Sequence, residues 1–270
     1  MPGLIHDPRF CKLGRPTVGV RPKGLKTLSQ VLGPTLPEAP PNVGWTRGYR
    51  SVPGGPLLPI VDSWPMDGND QYGDCVIAAG AHFQQLVTTL TGKPNVPTTD
   101  QVLAAYTAIT GFNSKDPNTD NGTDPMAFLQ YWQTTGLWGT KIGPFVEANP
   151  ASPLQIRDSI WFFGGALVGL ALPMSAQDQD IWDVPPGGWT ADNQPGSWGG
   201  HEVLGVSAGP RLVELITWGA SKFCTYAFLG ACCDQLSVVI SPDWFAGGMS
   251  PGGVPLASAL QDQGLLVKVA

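Results

Sequence analysis

The hydrophobic period of this chain changes once, from helical spacing in its first half to strand alternation in its second. That switch limits the fold to helices and sheet that are segregated along the chain. From Cys75 to Leu90, the residues Val76, Ala78, Ala79, Phe83, Leu86, Val87 and Leu90 recur at helical spacing, and Gly92 and Pro94 end the run. A second helix follows Thr98-Thr99-Asp100, with Val102, Leu103, Tyr106 and Ile109 inward and Thr99 or Asp100 as its cap. A third runs from Thr123 or Asp124 through Met126, Phe128, Leu129 and Trp132 to Gly136. Pro153 to Phe163 reads as a fourth, leading through Gly164-Gly165 into an apolar strand, Ala166 to Leu172.

After a Trp-rich polar loop from Pro173 to Gly200 the period becomes two. His201 to Ser207 and Arg211 to Thr217 flank Ala208-Gly209-Pro210 as an antiparallel hairpin. A short helix from Thr225 to Cys233 and a strand from Leu236 to Ile240 complete the pattern. The expected fold is α+β: a helical N-terminal half packed against a mainly antiparallel C-terminal sheet, with a cleft between them.

Residues 1–60 carry the prolines Pro34, Pro37, Pro40, Pro41, Pro53, Pro56 and Pro59 and read as an extended arm with one short helix near Leu25 to Leu32. Residues 61–245 then form the main domain, and residues 246–270 a Gly/Pro-rich extension ending in the strand-like Leu265 to Val269. Hydrophobic residues are 42% of the chain against 13% charged, which favours a packed core over disorder.

The net charge of -6 conceals an asymmetry. Residues 1–50 hold eight basic side chains against Asp7 and Glu38, while the remainder is acidic. A basic arm lying on its own acidic body explains this without a second molecule; the alternative is docking to an acidic protein or virion partner. Nucleic acid is not expected as a partner, because the body is acidic and, between Phe10 and Trp45, no aromatic residue interleaves the basic ones. No apolar run suggests a signal peptide or a membrane span, so a cytoplasmic or virion-associated protein is expected. The cysteines Cys11, Cys75, Cys224, Cys232 and Cys233 are odd in number and irregularly spaced, which points to free thiols rather than zinc or disulfides. No cofactor is implied.

Chemistry concentrates in Gly68-Asn69-Asp70-Gln71-Tyr72-Gly73-Asp74-Cys75-Val76. A cysteine at a helix N-terminus meets unpaired N–H groups and the positive end of the dipole, an arrangement expected to lower its pKa toward the nucleophilic thiolate. The Cys75 amide and the Gln71 side chain are candidate donors to an oxyanion. A cysteine on a helix is more often a core residue, and the glycine-rich entry together with a matching histidine lifts Cys75 above that reading. Of three histidines, His82 stands seven residues along the same helix, roughly 10 Å away by the helical rise, and His6 lies in the arm. His201, after Gly199-Gly200 at a strand start, is the candidate base.

These segments resemble the papain-like cysteine peptidases. Gln71-x-x-x-Cys75 is similar to their oxyanion glutamine and nucleophile, and Gly200-His201-x-Val203 to their histidine strand. Asn121-Gly122 with Ala127-Phe128-x-x-Tyr131 and Gly136 resembles the helix after their Asn-Gly-Gly turn, and Thr217-Trp218-Gly219 the end of their Asn-Ser-Trp-Gly motif. The ordered set spans residues 64–240. More closely, the chain resembles a group of papain-like proteins encoded in phage and bacterial genomes, which implies a virion association but no substrate.

The resemblance implies a cysteine peptidase or amidase acting on a protein or cell-wall peptide, or a non-catalytic docking protein that keeps the fold. It departs from the family where an imidazole-orienting Asn is expected. Ile216 stands there and cannot hydrogen-bond, so Thr217 becomes the candidate orienter, with Asp234 or Asp243 as substitutes. Trp218 reads as a cover for the His201 ring and Gly200 as a point of close approach. The arm, residues 1–60, is a candidate inhibitory segment. Finally, Asp116, Asn118, Asp120, Gly122 and Asp124 alternate as calcium ligands do, but Asn121 and Ala127 stand where an EF-hand needs Gly and Glu. A capped turn before the third helix is the better reading.

Overall fold

The computed structural model describes residues 13–14, 25–32, 38–45, 59–245 and 260–261. His6, Cys11, the expected strand Leu265 to Val269 and most of residues 1–60 and 246–270 lie outside the described residues. The helices are α1 (Leu28–Leu32), α2 (Cys75–Leu90), α3 (Thr99–Thr110), α4 (Pro125–Thr134), α5 (Pro153–Phe163) and α6 (Tyr226–Cys232). The strands are β1 (Val43–Gly44), β2 (Phe145–Glu147), β3 (Ala166–Leu172), β4 (Ile181–Trp182), β5 (Gly199–Ala208), β6 (Leu212–Thr217), β7 (Ala220–Thr225) and β8 (Cys233–Val239).

The strands form one sheet in the order β2-β8-β3-β5-β6-β7-β4, with β1 added to β5. Every pair is antiparallel except β4 with β7. Strand β7 was not expected: it follows β6 through the two-residue turn Trp218-Gly219, closed by the pairing of Thr217 with Ala220. The two-residue β4 and three-residue β2 are too short to show alternation in a sequence.

Helix α2 is the spine of the helical half. The periodic apolar face lies in the core, and the polar residues between are buried as well, so nearly the whole helix is surrounded by protein. Its polar side chains therefore need partners. Gln85 Nε2 donates to the Ser63 carbonyl at 2.9 Å, Gln84 Nε2 to Asp243 Oδ2 at 3.2 Å, and the Thr88 hydroxyl to the Gln84 carbonyl at 2.6 Å. Gly80 lets helix α4 come close, because a side chain at that position would run into the Phe128 ring. Fully buried Phe83, Leu86 and Phe128 each contribute roughly 1.5–3 kcal/mol by leaving water.

Helix α3 is capped by Thr98, one residue before the expected Thr99 or Asp100. The reason is a capping box: Thr98 Oγ1 accepts from the Gln101 amide while Gln101 Oε1 accepts from the Thr98 amide. Asp124 caps α4 through the Met126 amide at 2.8 Å.

The described pieces of the N-terminal segment complete the core. Leu28, Val31, Val43 and Trp45 are buried. The Trp45 indole donates to the Ile160 carbonyl at 2.8 Å and lies between Trp161 and Trp244. Among the described residues no helix is long and apolar enough to cross a membrane.

Candidate active site

The chain enters α2 through a turn whose Asp67 and Gly68 both have positive φ, 59° and 91°. The Gly68 carbonyl accepts from the Gln71 and Tyr72 amides, which folds residues 68–72 back before the helix begins. Asp74 holds the N-cap place with its backbone, accepting from Ile77 and Ala78, but its side chain makes no capping bond. Burial raises the Asp74 pKa well above the usual carboxylate range; Asn69 opposes this, and Asp67 and Asp120 add to it.

Cys75 follows and is 1% exposed. Its surroundings overturn the expectation of an acidic thiol. Burial pushes its pKa up to about 12, and the carboxylates of Glu202 and Asp74 push the same way, while backbone N–H groups of Glu202 and Gly14 bonded to the sulfur pull against them. The helix dipole is a surface-scale effect of about 1 kcal/mol, which full desolvation exceeds.

His201 is fully buried on β5, opposite Leu170 of β3. Its Nε2 lies 2.6 Å from Thr217 Oγ1. The register explains why the hydroxyl reaches it. Ile216 pairs with Leu204 and points into the core, so Thr217, one step on, turns to the other face and meets His201 across the strands. Trp218 stacks on the imidazole with ring centroids 4.4 Å apart and planes 17° apart. Its φ of 46° is a left-handed backbone rarely taken by a bulky residue, and contacts with Trp182 and Trp198 hold the indole in place. Because the Glu202 amide meets the Cys75 sulfur and His201 is the preceding residue, β5 brings the imidazole to the end of α2 where Cys75 stands.

The other predicted residues are placed as follows. Gln71 is exposed on the entry turn, and Gly200 is half-buried on β5 opposite Ala171. The two proposed acidic substitutes belong to other elements. Asp243 accepts from Gln84 and Thr140, and Asp234 lies on β8, from which β5 is separated by β3. His82 is a buried helix residue whose Nε2–H donates to the Pro65 carbonyl at 2.8 Å, and burial lowers its pKa to about 4. Cys224, Cys232 and Cys233 are buried and in no disulfide, and the Cys233 thiol donates to the Gln235 carbonyl at 3.2 Å.

Three features went unread in the sequence. Asp120 Oδ1 accepts from the Gly73 amide at 2.9 Å and from the Tyr106 hydroxyl at 2.8 Å, and the Tyr106 oxygen accepts from the Gly122 amide at 2.9 Å. This chain ties the loop before Cys75 to the loop before α4. In the same stretch, Asp116 accepts from the Asn118 amide and Asp124 from that of Met126, so these carboxylates serve turns and caps. Glu202, 3% exposed, is the second, and its place beside His201 was its only signal. The third is the segment Leu13-Gly14, which lies in the cleft. Gly14 is buried between Gly73 and Gly122, its carbonyl accepts from the Thr123 amide at 2.9 Å, and Leu13 packs on Gly199.

No protein-family model matches the chain, and no curated protein matches it in sequence. Solved structures do match in fold. The chain is similar to xylellain, a cysteine protease from Xylella fastidiosa, at 12% identity and a TM-score of 0.58, over 86% of this chain and 97% of that one. It is also similar to digestive procathepsin L 3 of the Tenebrio molitor larval midgut, at 12% identity and a TM-score of 0.53, over 80% and 75%. A structure from work on the mite allergens Blo t 1 and Der p 1 matches at 11% and 0.52, over 77% and 73%. The fold is thus papain-like, an α+β architecture shared with cysteine proteases.

Proposed function

We propose that the chain is a cysteine peptidase or amidase that cleaves a protein or cell-wall peptide at Cys75. The observation that carries this reading is the clamped imidazole: His201 held at Nε2 by Thr217, covered by Trp218, and one residue from the amide that meets the Cys75 sulfur. A core histidine needs a hydrogen bond; it does not need a strained tryptophan laid flat on its face.

In this reading Nε2 keeps its proton and donates to Thr217, which leaves Nδ1 as the basic nitrogen. Nδ1 takes the thiol proton as Sγ attacks the substrate carbonyl carbon, and the oxyanion is met by the Cys75 amide and the Gln71 side chain. Collapse of the tetrahedral species breaks the C–N bond, and the imidazolium returns its proton to the leaving amine. Water then repeats the sequence on the thioester, releasing the acid and restoring the thiol. With its pKa pushed up to about 12 by burial, Cys75 rests as a thiol rather than a thiolate, so proton transfer accompanies attack.

The test is hydrolysis of a peptide library by the wild type and by Cys75→Ala and His201→Ala. Cleavage confined to the wild type supports the reading; cleavage that survives Cys75→Ala ends it. A second reading, a non-catalytic docking or virion-associated protein, draws on the same neutral thiol and on a hydroxyl where an amide orienter is expected. It predicts no cleavage by any of the three proteins.

A further inference from the structure

Gly14 is held on every side. Its N–H is bonded to the Cys75 sulfur, its carbonyl accepts from Thr123, and its Cα lies between the backbones of Gly73 and Gly122. A Cβ built on Gly14 would fall on the Gly73 carbonyl, and one built on Gly122 would fall on the Gly14 carbonyl. These walls are main chain. They cannot turn aside as a flexible side chain does, and Asp120 and Tyr106 fix both through the Gly73 and Gly122 amides. Next to this slot, Leu13 takes an apolar place over Gly199, where an added Cβ would lie 2.8 Å from Leu13 Cδ1. The slot admits backbone and excludes any side chain.

The segment is held by both edges of its backbone, the Gly14 N–H by the Cys75 sulfur and the Gly14 carbonyl by the Thr123 amide. The segment therefore occupies the cleft as a ligand, desolvating the thiol it covers.

We infer that the cleft is a binding seat for a leucyl-glycyl peptide segment, that the chain's own Leu13-Gly14 is its resident occupant, and that substrates which displace it carry glycine at the same place. The substrate class rests on the hydrolase reading above; the seat and its occupant do not.

The experiment is alkylation of Cys75 by iodoacetamide in the full-length protein, located by mass spectrometry. Gly14→Ala cannot enter the slot, and alkylation is expected to speed up at least tenfold, equivalent to about 1.4 kcal/mol of lost seating. Leu13→Asp, which leaves the slot untouched and puts a charge in the apolar place, is expected to act in the same direction. Adding the free peptide acetyl-Lys-Leu-Gly-Arg-amide to Gly14→Ala should slow alkylation again, while its Lys-Leu-Ala-Arg counterpart should not. Wild-type rates in both variants, or equal protection by the two peptides, would overturn the inference. Cleavage of the Gly-containing peptide is scored separately: protection without cleavage contradicts the hydrolase reading and leaves the seat standing.

Discussion

Thr217 Oγ1 lies 2.6 Å from His201 Nε2, a hydroxyl in the place where a papain-like site is expected to use an amide. The contact exists because β6 presents alternate residues to opposite faces, which sends Ile216 to the core and Thr217 to the ring. A hydroxyl orients an imidazole through one bond only.

If that bond fixes the ring, Thr217→Val should lower kcat by about ten- to a hundredfold, less than the 10⁴ lost with a buried carboxylate orienter. KM should stay nearly constant, Thr217→Ser should restore most of the rate, and Thr217→Asn should equal or exceed the wild type. Steady-state kinetics on the best library peptide checks all three; a uniform rise in KM would point to altered substrate binding instead.

Trp218 is stacked on His201 at 4.4 Å and takes a φ of 46°. Trp218→Ala removes the indole and its contacts with Trp182 and Trp198, and should cost about 3 kcal/mol in urea denaturation. Trp218→Gly should cost less, because glycine relieves the backbone. Both should let water reach the ring, seen as faster exchange of the His201 ring proton by NMR.

Tyr106 links Asp120 to the Gly122 amide. Tyr106→Phe deprives that amide of its acceptor while the Asp120 to Gly73 bond remains, and should cost about 1–2 kcal/mol by thermal denaturation. Asp120→Ala releases both loops and should cost more.

Below α2, burial lowers the His82 pKa from 6.5 to about 4 and raises that of Asp67 from 3.8 to about 7, and the two side chains approach to 3.5 Å. Neutral His82 contributes stability that is full above pH 6.5 and lost as pH falls through 4. Neutral Asp67 contributes stability that is full below pH 3.8 and lost as pH rises through 7. The two slopes oppose each other between pH 4 and 6.5. Asp67→Asn removes one of them and suits a left-handed φ, so its stability should rise across that window by on the order of 2 kcal/mol relative to the wild type's change. Urea titrations at pH 4.5 and 6.5 measure this; a flat profile in the variant would show that His82 is not held neutral.

What the sequence disclosed was set by local rules. Helix α2, strand β3 and the β5–β6 hairpin follow from spacing, and the Asp124 cap from residue type. The Thr98 cap was misplaced by one residue because three polar residues in a row compete for it, and the Gln101 side chain decides. Strand β7 mixes Lys222 and Ser221 with Phe223 and shows no clean alternation. The helix dipole alone gives the acidity of Cys75 the wrong sign, since the dipole is local to the helix while burial depends on β5 and on a segment some sixty residues upstream. Gly14 carried no local signal. Its importance comes from the two backbones on either side of it, which tertiary structure alone brings together.

Reaction with acetyl-Leu-Gly-chloromethyl ketone, followed by intact-mass and peptide mapping, asks whether Cys75 is a nucleophile served by His201, since chloride leaves only if a nucleophile attacks. One adduct is expected, on Cys75, abolished by Cys75→Ala and slowed at least tenfold by His201→Asn, a loss of about 1.4 kcal/mol in barrier terms. Labelling of Cys224, Cys232 or Cys233 in place of Cys75, or a Cys75 rate indifferent to His201→Asn, would overturn that assignment.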